Sequence, residues 1–93
     1  MIKFEIVPTT TLISQAVSHI RRYSYRMKGY VHYAKYDKNK YDWTLERHYQ
    51  ELNALEDCID ILLRELSLRN ATIPNQYMKS YLNSQRKREE TLI

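Results

Sequence analysis

Apolar side chains recur along this chain at alternating steps of four and three. From Ile13 they run through Val17, Ile20, Ser24, Met27, Val31 and Ala34, with Ser24 the one polar member. That stepping keeps a single helix face turned toward a neighbour and predicts an amphipathic helix over roughly 11 to 36. Thr9, Thr10 and Thr11, directly after Pro8, offer hydroxyls to cap its first amides. A second series, Leu45, His48, Leu52, Leu55, Ile59, Leu62 and Leu66, predicts a helix over about 43 to 69, capped by Asp42. Beyond Pro74, the stripe Tyr77, Met78, Tyr81 and Leu82 predicts a third, shorter helix over about 75 to 90.

The connection Asp37-Lys38-Asn39-Lys40-Tyr41 is short and polar, so the first two helices are expected to run antiparallel as a hairpin. Facing residues in such a pair have position numbers with a constant sum. Ala34 with Leu45, Val31 with His48, Met27 with Leu52, Ser24 with Leu55, Ile20 with Ile59, Val17 with Leu62, and Ile13 with Leu66 all sum to 79. The two series are independent of each other, so their agreement predicts one alignment. It sets Arg21 near Glu56 and Lys35 near Asp42, while Lys28 falls opposite Tyr49 with no acid. Exposed pairs contribute only ~0.2 to 1 kcal/mol each and fix alignment more than they hold it.

Two apolar sets lie outside this seam. Leu12, Ala16, Tyr23 and Tyr30 form a margin on the other flank of the first helix. Ile61 and Leu68, with Ala54 nearby, sit on the face of the second helix turned away from the first. The third helix and a second copy of the chain are both expected to cover that face, which makes a homodimer the expected assembly. Ile2, Phe4 and Ile6 alternate with Lys3 and Glu5, the pattern of a short strand; it either pairs with a partner's sheet edge or lies on the helices as an extended arm.

Composition supports the helical reading. One glycine and two prolines in 93 residues are too few turn formers for a many-stranded β fold, and 43% hydrophobic residues are too many for a disordered tail. The expected fold class is therefore all-α, a single domain over 1 to 93: an antiparallel hairpin, a shorter C-terminal helix and a short N-terminal arm. No apolar run nears the ~18 residues of a membrane span, and the amino terminus lacks a secretion signal. The lone Cys58 cannot form an internal disulfide. A cytoplasmic protein with no membrane partner is expected. Tyrosine, isoleucine, asparagine and lysine make up 29 of the 93 residues, a bias of the kind produced by AT-rich genomes, many small phage and mobile-element genomes among them.

The net charge of +4 is unevenly spread. Residues 6 to 36 carry Arg21, Arg22, Arg26, Lys28 and Lys35 and no acid; residues 43 to 69 sum to −3; the remainder adds +2. The first two segments should attract, so any surface reading must first subtract internal neutralisation.

Enzymatic chemistry has no inventory here. The chain lacks a glycine-rich phosphate loop, a nucleophile elbow and a His-Glu-x-x-His motif. Cys58 and His48 are ten residues apart, ~15 Å along a helix, too far for a nucleophile and base. His19, His32 and His48 fall on different faces, so no metal or cofactor is expected; His48 reads as a partly buried, hydrogen-bonded core histidine.

The run from Arg21 to Tyr33 interleaves cations and aromatics. Arg21, Lys28 and Lys35 line the seam, which leaves Arg22, Tyr25, Arg26, His32 and Tyr33, and Tyr36 beyond them, grouped around Gly29 as the candidate partner-binding face. A mid-helix glycine costs ~1 kcal/mol relative to alanine, so a close approach by a partner helix or a phosphate backbone competes with simple drift as its explanation. The expected function is a non-enzymatic interaction protein that binds a protein partner through this face. The alternative is DNA or RNA binding through the same face, with Arg86, Lys87 and Arg88 as auxiliary phosphate contacts. A purely structural assembly subunit is a third reading.

Overall fold

The computed structural model describes residues 6–36 and 42–91, and the side chains of 6–35 and 45–91. Helix α1 spans Thr9–Tyr36, α2 spans Asp42–Leu68 and α3 spans Asn75–Thr91. No strand occurs among the described residues, and the fold is all-α as the spacing predicts. The expected strand or arm falls on residues 1–5, outside the described ones, and on Ile6 and Val7; Ile6 is exposed and Val7 packs against the core.

Two helices start in the same way. The carbonyl of Pro8 accepts the N–H groups of Thr11 and Leu12, at 3.0 and 3.2 Å, and that of Pro74 accepts those of Tyr77 and Met78. A proline one residue before each helix thus supplies the first acceptor. The expected threonine cap is put to another use: Thr9 Oγ1 accepts from Arg69 Nη1 at 3.2 Å, and the same nitrogen donates to the Val7 carbonyl at 2.6 Å. α2 ends with Asn70 at φ 56°, Asn70 N–H bonded to the Ser67 carbonyl and Ala71 N–H to that of Leu66. This left-handed closure turns the chain back toward α1, and asparagine is one of few residues that adopt it readily.

α1 is the central element, packed on α2 along one flank and on α3 along the other. The α1–α2 alignment is the expected one: Tyr23 donates to Glu56 Oε2 at 2.6 Å, a pair whose numbers sum to 79. Its rotation is not. The residues of α1 that become fully buried are Leu12, Ala16, Ile20, Tyr23 and Met27, with Tyr30 close behind. The expected core residues Ile13 and Val31 are only partly covered. The reason is the third helix. A two-helix seam would centre on Ile13, Val17 and Ser24, but three helices meet along a line, and the wide Tyr23 fills it. Its ring meets Tyr81 edge to face at 5.3 Å and 73°, a favourable geometry for aromatic pairs. α2 contributes Leu52, Leu55, Ile59, Leu62 and Leu66 to the same core, each stabilising it by ~1.5 to 3 kcal/mol before entropy is counted.

α3 runs parallel to α1. Arg21 Nη2 donates to Tyr77 at 3.0 Å, and the Ser24 and Ser80 hydroxyls lie 3.1 Å apart; both pairs differ by 56 in number. Arg21 therefore faces α3, and the expected pairing with Glu56 does not form. The partner expected for Lys35, the Asp42 side chain, lies outside the described residues. Because α3 packs on α1, it does not cover the outer face of α2: Ile61 is 47% and Leu68 76% exposed, contrary to the expected covering by the third helix.

Candidate functional site: a basic groove between the first and third helices

Of the expected partner-binding residues on α1, Tyr25, Arg26, Gly29 and Tyr33 border one depression together with Lys28 and His48, but they differ in what else they touch. Arg26 Nε lies 2.6 Å from Glu51 Oε2 on α2, in an ion pair. Gly29 is explained from within the fold. A Cβ there would come within 3.1 Å of the His48 ring carbon Cε1, so the group that approaches the glycine is the chain's own histidine. His48 stacks on Tyr33 at 5.6 Å and 27°, and Tyr33 meets His32 edge to face at 5.3 Å. Burial, reinforced by the nearby Arg26, lowers the His48 pKa and favours the neutral ring. Its buried Nδ1 has no hydrogen-bond partner among the described residues, unlike the satisfied core histidine expected. Of the six residues, Arg26, Gly29 and Tyr33 are thus engaged inside the α1–α2 pair, while His32 is exposed with its ring against Tyr33. Arg22 and Tyr25 remain outward, and Tyr25 is 73% exposed.

The C-terminal trio also divides. Arg88, expected as a phosphate contact, is only 7% exposed. Its guanidinium donates to Glu56 and Asn53 and lies over the Tyr49 ring at 4.8 Å. Burial works to lower its pKa, but the Tyr23 hydroxyl and the Glu56 carboxylate outweigh that and hold it above the ordinary value. It is a permanent internal cation and is withdrawn from the candidate surface. The Tyr23 hydroxyl completes the cluster, its pKa raised by burial and by Glu56. Arg86 and Lys87 are exposed.

Three acids of α2 are paired with cations by these contacts, while Glu46, Asp57 and Asp60 are not. Glu51 pairs with Arg26, Glu56 with Arg88 and Glu65 with Arg69, while Asp60 accepts from Tyr81 at 3.4 Å. The subtraction demanded by the charge pattern can now be made residue by residue. Of the α1 cations, Arg26 is neutralised by α2. Among the described residues, none of Arg21, Arg22, Lys28, Lys79 and Lys87 has a carboxylate within ion-pair distance.

Four of those five border one feature. A groove of about 830 Å³ runs between α1 and α3, with Lys28, Lys79 and Lys87 on its walls and Glu90 its one carboxylate. Ser24, Ser80 and Ser84 form its floor; Ser24 Oγ lies 3.1 and 3.0 Å from the other two hydroxyls. The groove continues at its N-terminal end into a second depression bordered by Arg21, Tyr25, Lys28 and Tyr77. Arg21 sits over the Tyr77 ring at 5.4 Å and bonds its hydroxyl, which orients the guanidinium without neutralising it. Hydrogen bonds with Gln76 and Arg21 hold the Tyr77 phenol below its ordinary pKa.

The sequence does not point to Lys28 and Lys79 here, because the apolar series sets Lys28 in the α2 seam and the third helix on the back of α2. The one signal pointing to the groove was Ser24, a polar residue in an apolar series, matched by Ser80 and Ser84 one turn apart on α3. Chemically the groove offers ammonium and guanidinium groups over a hydroxyl floor, an arrangement that suits anionic oxygen. Among the described residues no three metal-ligating side chains come together, and no helix is long and apolar enough to cross a membrane. No family model, curated protein or solved structure matches the chain.

Proposed function

We propose that the protein is a non-enzymatic nucleic-acid-binding module that holds a phosphate backbone in the groove between α1 and α3. The observation that carries this reading is the residual charge: Lys28, Lys79 and Lys87 line the groove and Arg21 its continuation, against the one carboxylate Glu90, and no acid of α2 pairs with these cations. Compact, strongly hydrated ammonium groups act as point charges for phosphates, and such contacts supply most of the affinity of sequence-independent binding. A cytoplasmic setting, where the exposed Cys58 stays a thiol, fits this role. Docking of a protein with an acidic surface is the second reading. It is favoured by Arg22 and Tyr25, outward-facing residues of the two types that dominate protein hot spots, and it would accommodate a dimer through Ile61 and Leu68. It is weakened because Arg26 and Tyr33, two further members of that patch, already contact Glu51 and His48 of α2.

The test is fluorescence anisotropy with labelled mixed-sequence oligonucleotides, comparing the wild-type chain with Lys28→Glu/Lys79→Glu/Lys87→Glu. Losing three phosphate contacts should weaken binding by at least about tenfold at about 100 mM salt and flatten its salt dependence, with helicity unchanged. Equal binding by both proteins, or none by the wild type, would refute the proposal.

A further inference from the structure

We infer that the groove takes a single-stranded segment, its phosphates on the two rows of cations and an unpaired base stacked on Tyr25. This inference rests on the nucleic-acid reading above and narrows it to one class of ligand.

The first argument is the layout of the charges. With α1 and α3 parallel and offset by 56, Lys79 lies level with residue 23 of α1 and Lys87 level with residue 31. Arg21, Lys79, Lys28 and Lys87 therefore alternate between the two walls along about 15 Å of helix. Packed helices lie ~8 to 10 Å apart, so the cations converge on one narrow track and can follow one backbone. A duplex reader of the usual helical kind instead inserts a helix ~10 to 12 Å across into a major groove ~12 Å wide, with its contacts on the crest. The crest of α1 holds Ser14, Ser18, Tyr25 and His32 with a single outward cation, Arg22, beside it, whereas Arg21 and Lys28 lie on the flank, inside a concavity.

The second argument is Tyr25. It is 73% exposed, beside Arg21, Lys28 and Tyr77 at the groove's N-terminal end. An exposed aromatic face next to phosphate-binding cations stacks on an unpaired base, and by alanine substitution such a contact is worth ~1 to 3 kcal/mol, roughly 5- to 150-fold in affinity. A paired base has no face to give it. The third argument is the polar lining. Gln76 and Asn83 flank the serine floor, and amides and hydroxyls bond the base edges that a single strand leaves open.

The experiment uses the full chain and three labelled probes: a mixed-sequence single-stranded DNA of about 12 nucleotides, within the ~4 to 16 covered by known single-strand sites, the same sequence as duplex, and its RNA equivalent. Polyglutamate serves as the acidic-protein mimic. One or both single strands should bind at least about tenfold tighter than the duplex. Log K should fall against log salt with a slope near −3, about −0.7 for each of four phosphates. Tyr25→Ala should weaken single-strand binding by at least about fivefold and Tyr25→Trp should preserve it, both with wild-type circular dichroism, since the side chain is outside the core. Duplex binding as tight as single-strand binding overturns the inference and leaves the nucleic-acid reading standing. A single-strand preference that survives Tyr25→Ala overturns it as well, because the stacking partner is then elsewhere. Binding of polyglutamate with none to any oligonucleotide overturns both.

Discussion

Arg88→Ala should destabilise the protein by about 3 to 4 kcal/mol, while Lys87→Ala, one residue earlier, should change it by less than about 0.5. Arg88 is bonded to Glu56 and Asn53 and lies over Tyr49. Removing one partner of a buried ion pair costs ~3 to 5 kcal/mol, because the other charge is left behind. Here the Glu56 side chain keeps 26% of its surface exposed and retains the Tyr23 hydroxyl as a donor, which lowers that contribution to about 2 to 3. Loss of the partly desolvated cation–π contact adds about 1. Urea titration followed by circular dichroism gives both values, and amide exchange should rise more in α3 than in α1, since α3 depends on this side chain for its hold on α2. Lysine should recover less than half of the loss, because one ammonium nitrogen replaces the two nitrogens, Nη1 and Nη2, that reach Glu56 and Asn53 separately, and it has no planar face to lay on Tyr49. The pair Arg88→Met with Glu56→Gln should recover more, because no charge is stranded and the amide oxygen still accepts from Tyr23. If Arg88→Ala falls within about 1 kcal/mol of Lys87→Ala, the internal-clamp account is wrong and Arg88 returns to the candidate surface.

Two further predictions concern the seam and the core tyrosines. Gly29→Ala gains ~1 kcal/mol of helix propensity but presses on His48 at 3.1 Å, an overpacking of ~1 to 3 kcal/mol; it should be neutral to destabilising alone and stabilising by about 1 kcal/mol in a His48→Ala background. A coupling below about 0.3 kcal/mol in that cycle would show that His48 is not what keeps the position glycine. Tyr23 and Tyr81 are buried beside Glu56 and Asp60, and burial, the larger cause, and those carboxylates raise both pKa values above the ordinary 10.0. The neutral phenols are favoured only in the fold, so stability is full below pH 10 and falls as the unfolded chain ionises above it, by up to about 1.4 kcal/mol per pH unit for each tyrosine. Urea melts at stepped alkaline pH should show this slope, and Tyr23→Phe should remove one tyrosine's share; an unchanged slope would refute the assignment.

The number and extent of the helices, and the α1–α2 alignment, were legible because they follow from periodicity alone. Tyr23 with Glu56 sums to 79, and Arg26 with Glu51 and Tyr33 with His48 bracket that value at 77 and 81. The rotation of α1 was not legible. Its apolar series Ile13, Val17, Ile20, Ser24, Met27 and Val31 and the buried series Leu12, Ala16, Ile20, Tyr23, Met27 and Tyr30 share two members and otherwise differ by one position. Only the place of the third helix selects between them, and no local pattern carries that. The same error moved Lys28 into the seam and Arg26 out of it. Arg88 was misplaced for a different reason: in a basic tail it looks like its neighbours, and its burial depends on Glu56, Asn53 and Tyr49 arriving from a helix more than thirty residues earlier.

The three serines between α1 and α3 leave the axial position of α3 degenerate. Ser24 already reaches both Ser80 and Ser84, so sliding α3 by one turn, ~5.4 Å, would still set a hydroxyl against it. Hydroxyls rotate to suit either neighbour, and nothing in that trio distinguishes the two seatings. The choice falls to Tyr81 and Arg88, side chains with one acceptable socket each. Without those two, the serine contacts alone would leave two spacings of the lysines on the two sides equally acceptable.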